Sequence, residues 1–599
     1  MRNILVFLII FFFFIPIILY SQKHPFNYLS PLPDSRFNNR ETNIIINPVK
    51  SPGKNIIRNN DYIHVIGSSS GVHKGETIIS ADGKSIIFRP EKPFELSETV
   101  NVKLSSLVSG KRNDYEYKFY IKEKEIVPNP SDYLISEFGK SYYTPPFYPG
   151  YNSNTDSLPS DFPFATVTIS NNPSPGKIFL TCFSFFPTYG TYLMIFNNDG
   201  TPLFYRKMPG PTTDFKKISN GNLVYYDNFK FKYYELDTNY FIVDSFYTGN
   251  GYITDQHELE YLENGNAYLM SYDPVIVNMS QIVPGGDSNA LVTGLIVQEI
   301  DVNKNVIFQW RSWDHIPITD CENVSLLEDT IDYVHGNAIE YDTDGNIMIS
   351  SRHLNEITKI NRSTGNIMWR LGGYNNNHFT FINDSVKFNY QHDIRRLKNG
   401  NITLFDNGNA HNPPFSRAVE YELDEQTKTA KLVWQFRSNP DIFGPFMGNV
   451  QRLDNGNTII GWGGTINEPV TTVTEVSPDG TKLFEMKLPN FVFSYRAYRF
   501  QWDYVEKPVP PPNSYVLNQN YPNPFNPQTT IEFDIPETQH VLLIIYDILG
   551  KEIAKLVNQT LQPRKYSVKW DAGPFPSGVY FYQLITDNFK ETKKMIFLR

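Results

Sequence analysis

The sequence predicts an all-β protein: a six-bladed β-propeller flanked by small, immunoglobulin-like β-sandwiches at its N and C termini. Three observations carry that expectation. Short turn signals recur at Asn220-Gly221, Asn264-Gly265, Asp344-Gly345, Asn399-Gly400 and Asn455-Gly456. Each closes a hairpin and is followed by a second one, as in QEIDVNKNVIFQWRS, TKINRSTGNIMWRL and TEVSPDGTKLFEMKL, which makes four strands per unit, the composition of a propeller blade. Outside this region, apolar and polar residues alternate in short runs bounded by turn residues, the pattern of half-buried strands.

The 599 residues suffice for several domains, and 40% hydrophobic with 15% aromatic content indicates folded chain. A net charge of -9 is mild, and no Lys/Arg block or RNA-binding signature is present, so nucleic acid is not an expected partner. Cys182 and Cys321 are the only cysteines. They limit any disulfide framework to one bridge, whose formation the sequence leaves open.

In chain order, residues 1–21 read as a secretory signal peptide, although the apolar run Ile4–Tyr20 also approaches membrane-spanning length. Residues 40–127 form the expected N-terminal sandwich. GSSSG at Gly67–Gly71 matches a serine-hydrolase elbow only formally, because that elbow needs a strand-to-helix turn; it is read as a loop. Residues 128–162, rich in Pro, Ser, Tyr and Asn, form a connector, and the repeats occupy 163–505. Five units begin near 213, 257, 335, 392 and 448. A sixth spans 176–208, closed by the strand AYRFQWDYV. Seven blades stay open as an alternative, because Gly265 and Gly345 are unusually far apart; loops at 272–292 and 312–333, suited to a lid, are assigned the excess. Residues 506–514 are a stiff Pro-rich linker. Residues 515–599 make the second sandwich. Its LNQNYPNPFNPQTTIEFDIPE opening and KKMIFLR ending resemble the sorting domain of type IX secretion cargo. The resemblance implies passage across an outer membrane, by the type IX machinery, to the cell surface or the medium.

The candidate site follows from register. Eight residues before each turn glycine stand Thr213, His257, Asn337, His392 and Gly448. Repeats set equivalent positions around a common axis, so His257, His392 and the His335/Asn337 pair are expected to converge. A two-residue turn at Asp344-Gly345 with no bulge makes Asn337 face Arg352. Imidazole titrates near neutrality and has a nucleophilic nitrogen, while guanidinium is a permanent cation. Such a patch suits an anionic tetrahedral group. Three histidines also suit zinc, but HExxH spacing is absent and a neighbouring arginine opposes a metal; polar blade-edge residues satisfied by backbone are the third reading. No metal and no cofactor is expected. His315, His353, His378 and His411 lie outside the register and are assigned structural or surface roles. Tyr390, Phe388 and Phe379 are near enough to flank a ring, or belong to the blade core.

DQHELE, DYVHGN, SSRH and YQHD together resemble the active-site segments of the bacterial aryl-sulfate sulfotransferases, over about 163–505. That family passes a sulfuryl group between phenols without a nucleotide donor, and no GxxxxGK[ST] loop is present here. The resemblance implies a phenolic sulfate donor and a phenol acceptor. It implies ping-pong transfer through His392 as the nucleophile, with His257, His335 and Arg352 on sulfuryl-binding positions and Asn337 on the family's asparagine. The closely spaced cysteine pair of enterobacterial members is missing, so a dedicated disulfide catalyst is not expected. A secreted propeller that binds without turnover and an aryl sulfate hydrolase are the competing readings; oligomeric state is left open.

Overall fold

The computed structural model describes residues 25–49, 62–109, 113–126, 158–184, 188–465, 470–502, 514–561 and 563–599. The expected signal peptide, most of the connector and nearly all of the Pro-rich linker lie outside these residues. The chain forms two compact units, Met1–Trp502 and Asp503–Arg599. Among the described residues no helix is long and apolar enough to cross a membrane.

The first unit opens with two four-stranded sheets sharing one core of residues such as Leu29, Ile44, Val65, Val102 and Phe119. The strand Phe26–Ser30 pairs with Ile44–Pro48, so this sheet starts ahead of the expected boundary at residue 40. Tyr28 explains why: its hydroxyl donates to Gln309 O at 2.6 Å, so the strand is covered from both sides and loses the alternation that marks a half-buried strand. GSSSG is the turn between Ile63–Gly67 and Gly71–His73. The Glu98 carboxylate clasps it through the N–H groups of Ser69 and Ser70, both at 3.0 Å.

Between Thr166 and Phe500, six sheets of four or five strands, antiparallel except for two short parallel pairings, follow one another among the described residues. The chain ends of this region interlock. The strand Thr166–Ser170 adds to the outer edge of the last sheet, while Ala497–Phe500 pairs with Lys177–Ser184 in the first.

The turns differ from the two-residue expectation. Asp342 N–H bonds Asn346 O at 2.8 Å and Gly345 N–H bonds Asp342 O at 2.9 Å, so the loop has three residues, and within it only Gly345 has positive φ, +79°. The cause is local. Asp344 Oδ1 accepts from Asn346 N–H at 3.0 Å, an Asx turn that holds the first two positions right-handed and leaves the left-handed step to glycine. The same closure recurs at Ile218/Asn222, Leu262/Asn266, Leu397/Asn401 and Leu453/Asn457. The side chain of the asparagine after the glycine then reaches a glutamate on the third strand: Asn222 to Glu235, Asn266 to Glu299, Asn401 to Glu420 and Asn457 to Glu475, at 2.6–2.8 Å.

The extra loop residue shifts the register by one. Ile339 faces Ile349, and a bulge between Gly336 and Ala338 brings Gly336 opposite Ser351. Asn337 therefore does not face Arg352, which lies beyond the strand in the 3-10 turn Arg352–Leu354. The loop expected at 272–292 is also corrected. Ala267–Val277 and Ala290–Ile300 are paired 11-residue strands, and Thr330–Asp332 pairs parallel to the second of them. The expected loop therefore narrows to residues 278–289, and its flanks are sheet covered on both faces, without a turn signal where a short strand would end.

The second unit has a three-stranded and a four-stranded sheet around a core that includes Ile531, Phe533, Leu543, Trp570, Tyr582 and Phe597.

Candidate active site

Each histidine of the expected set is held from behind, through Nδ1. His257 precedes the strand Leu259–Tyr261, and its N–H and Nδ1 both bond Asp255 Oδ1, at 2.9 and 2.6 Å. His335 has a left-handed backbone, φ 51°, stabilised where its N–H meets Asp332 Oδ1 at 3.1 Å and its Nδ1 meets Asp332 Oδ2 at 2.6 Å. The His257 and His335 rings lie edge to face with centroids 5.3 Å apart. His392 begins the strand His392–Arg396. Its Nδ1 lies 2.8 Å from Asn407 Oδ1 and 3.2 Å from Tyr390 O.

Arg352 reaches the group from its turn. Its backbone N–H donates to His335 O at 2.9 Å. Nη1 donates to His353 Nε2 at 2.9 Å, Nη2 donates to Pro445 O at 3.2 Å, and the guanidinium lies 4.8 Å from the Tyr390 ring centre. His353 is therefore part of the cluster, and not a surface residue. Its ring centroid is 4.6 Å from that of His335, and its Nδ1–H donates to Asp332 O at 2.6 Å. Burial first, then the positive charge of His335 and Arg352, push its titration down to about 3. It stays neutral and orients the arginine.

Asn337 is fully buried and links the elements. Its Nδ2 donates to Gln391 O at 2.8 Å. Its backbone carbonyl accepts from Tyr495 Oη at 3.2 Å and Arg496 Nη2 at 2.9 Å, and the same tyrosine hydroxyl lies 3.1 Å from His257 O. The structure thus brings His257, His335, Asn337, Arg352 and His392 into one group. Tyr390 lines it beneath Arg352, whereas Phe379 and Phe388 belong to a neighbouring core. His315 is stacked on Trp310, and His411 bonds Asp406 at 2.9 Å; both serve the scaffold. Cys182 and Cys321 are unbridged thiols.

Next to this group in sequence and space, six charged side chains form a network that Arg395 extends to Glu340 at 3.8 Å. Arg496 meets Asp214 at 2.9 Å, Glu258 at 3.0 Å and Asp393 at 3.4 Å. Arg395 meets Glu258 at 2.6 Å and Asp393 at 2.7 Å, and Lys216 bonds both Asp214 and Glu258. Burial would raise Glu258, but Arg395, Arg496 and Lys216 outweigh it and hold the carboxyl well below its usual range.

Asp332, His335 and His353 each offer a ligand atom within 4.8 Å of one another. Their donor set does not fit a cation: Nε2 of His353 already accepts from the permanently charged Arg352. The arrangement favours an anion.

Comparison with known proteins now decides the family. Residues 168–499, more than half of the chain, match the family model described as arylsulfotransferase (ASST). The chain belongs to the arylsulfotransferase family. Residues 519–598 match the secretion system C-terminal sorting domain, which indicates export by the type IX system to the cell surface or beyond. Within the sulfotransferase family, the chain is 28% identical over 170 residues to the arylsulfate sulfotransferase AssT of Escherichia coli O6:H1, and 29% identical over 170 residues to that of Lelliottia amnigena. Each match spans 22% of this chain and 28% of the relative. Solved structures align loosely. A protein of unknown function from Bacteroides caccae gives a TM-score of 0.36 at 11% identity, covering 54% of this chain and 98% of that one.

Sequence reasoning missed Asp255, Asp332, Asn407, Tyr495 and Arg496. The two aspartates had a local signal, standing two and three residues before a histidine in DQH and DYVH. The others reach the group from neighbouring strands or distant sequence.

Proposed function

We propose that the protein transfers a sulfuryl group from an aryl sulfate ester to a phenol by a ping-pong mechanism, on a six-bladed propeller whose blades are the six sheets. Immunoglobulin-like sandwiches flank it within the boundaries expected from sequence, the first extended forward to Phe26. The observation that carries this reading is the convergence of three imidazoles and one guanidinium, with buried Asn337, inside the region matched to the arylsulfotransferase family.

In the first half-reaction the lone pair of His392 attacks sulfur in line, forming an S–N bond. The S–O bond to the aryl group breaks, and its electron pair leaves as phenolate, which takes a proton from His257 or His335. Arg352 and these two rings hold the sulfuryl oxygens as charge shifts toward them. In the second half-reaction the acceptor phenol loses its proton to the same imidazole and its oxygen attacks sulfur. The S–N electron pair then returns to His392.

The test mixes the protein with a chromogenic aryl sulfate without acceptor, then quenches, digests and weighs the peptide containing Tyr390-Gln391-His392-Asp393. A mass increase of one sulfuryl group, removed by added phenol, is expected. An unmodified peptide after a stoichiometric burst of phenol overturns His392 as carrier. Hydrolysis without transfer to phenol overturns the transferase reading in favour of a hydrolase.

A further inference from the structure

We propose that Asn407 is the positioning residue that fixes His392 as the Nδ1–H tautomer, setting the reactive lone pair on Nε2. The inference rests on the transfer chemistry proposed above, but its decisive observable does not.

The Asn407 amide is fully buried and all of its hydrogen-bonding capacity is directed. Nδ2 donates to Gly444 O at 2.7 Å and to Met447 O at 2.9 Å. Two carbonyl oxygens can only accept, so the NH2 group must face them and Oδ1 must face His392. An amide oxygen cannot donate either. The 2.8 Å contact between Asn407 Oδ1 and His392 Nδ1 therefore requires the proton on Nδ1. Tyr390 O, 3.2 Å from the same nitrogen, is a second acceptor that asks for the same proton. A neutral imidazole carries one N–H, so Nε2 has the lone pair. The tautomer is thus dictated by the backbone of residues 444–447, through the asparagine.

The other two histidines have a different support. Asp255 and Asp332 stand behind His257 and His335 at 2.6 Å each. A carboxylate also takes a proton from Nδ1, but its negative charge stabilises the imidazolium as well, so Nε2 can keep a proton to give. Asn407 supplies the acceptor without the charge. One group of three histidines is divided into a neutral nucleophile and two proton-bearing partners by the residue behind each ring.

Nitrogen-15 NMR of the full chain with labelled histidine tests this directly, using His392→Gln to assign the signal. At neutral pH a pyrrole-type Nδ1 and a pyridine-type Nε2 are expected for His392; an Nε2–H tautomer or a doubly protonated ring overturns the proposal. Asn407→Ala gives the second measurement. Phenol release from a chromogenic aryl sulfate should lose about tenfold or more in kcat while KM stays nearly constant, and the His392 signal should move toward a mixture of tautomers. An unchanged tautomer and rate in that variant also overturn it. An Nδ1–H tautomer in a protein that transfers nothing from aryl sulfates would leave the role of Asn407 standing and remove the sulfotransfer reading.

Discussion

Two layers of side chains adjoin one another along the chain at two places and obey opposite rules. His257 is followed by Glu258 and His392 by Asp393. In the lower layer the charges answer one another: Lys216, Arg395 and Arg496 against Asp214, Glu258 and Asp393, with Arg395 also 3.8 Å from Glu340. In the upper layer each ring is gripped at Nδ1 by a neighbour, which turns Nε2 away from its support. The difference separates scaffold from chemistry. A network of paired charges in a low-dielectric interior resists any change of charge, whereas rings anchored at Nδ1 are fixed in orientation.

The largest expected effect falls on the upper layer alone. His392→Ala should lower sulfuryl transfer by at least about 10³-fold, as expected for losing a nucleophile, with little change in melting temperature. Near-normal turnover would end the assignment of the nucleophile. A large loss of stability would show that the layers are not separable.

Next comes the converse change below. Arg496→Ala leaves Asp214, Glu258 and Asp393 short of a cation and should cost about 3–5 kcal/mol of stability, read as the midpoint of denaturant unfolding. A midpoint within error of the unmodified protein would mean that the network is not the keystone its geometry suggests.

Arg352→Lys keeps the charge but loses the planar fork that spans His353, Pro445 and the Tyr390 face. About 2–4 kcal/mol of transition-state stabilisation should be lost, by analogy with removing one oxyanion donor. The check is kcat/KM for an aryl sulfate; a loss confined to KM would assign Arg352 to uniform binding.

The smallest effect sharpens the comparison through pH. His353 titrates near 6.5 unperturbed but is pushed down to about 3 in the fold, chiefly by burial. Below 6.5 the unfolded chain therefore binds a proton that the folded site refuses. The contribution of His353 is fully present above 6.5 and is lost as pH falls toward about 3. His315, pushed down to about 4 by burial, acts in the same direction. Melting temperature should fall with acidification, and less steeply in His353→Gln. Equal slopes would remove His353 from the account.

Much of the site was legible because repeats and turn chemistry are local. An Asn-Gly or Asp-Gly signal fixes a hairpin within a few residues, and its repetition aligned His257, Asn337 and His392 before any contact was known. The strand period set His335 beside Asn337, the hairpin drew Arg352 into the same patch, and the family's active-site segments then supplied a role for each. The turn type was misread, because an asparagine or aspartate before glycine suits two loop lengths. The choice depends on whether its side chain caps the next N–H, as Asp344 does for Asn346. That one-residue difference undid the pairing of Asn337 with Arg352 but not their proximity, which arises through His335, Gln391 and Tyr390 instead.

The sequence by itself determined the all-β pattern, the succession of hairpin units and the residue types offered to the candidate site. Each depends on periods of two, on turns of a few residues, or on residue chemistry. Only the tertiary structure decided which neighbour stands behind each ring. Asn407 meets His392 from just beyond the adjacent strand Ile402–Asp406, Arg496 reaches Asp214 across 282 positions, and Arg352 is oriented by a histidine outside the register. Whether an imidazole is a base, an acid or a nucleophile depends on hydrogen bonds and charge within a few ångströms, and closure of the sheets alone sets those distances.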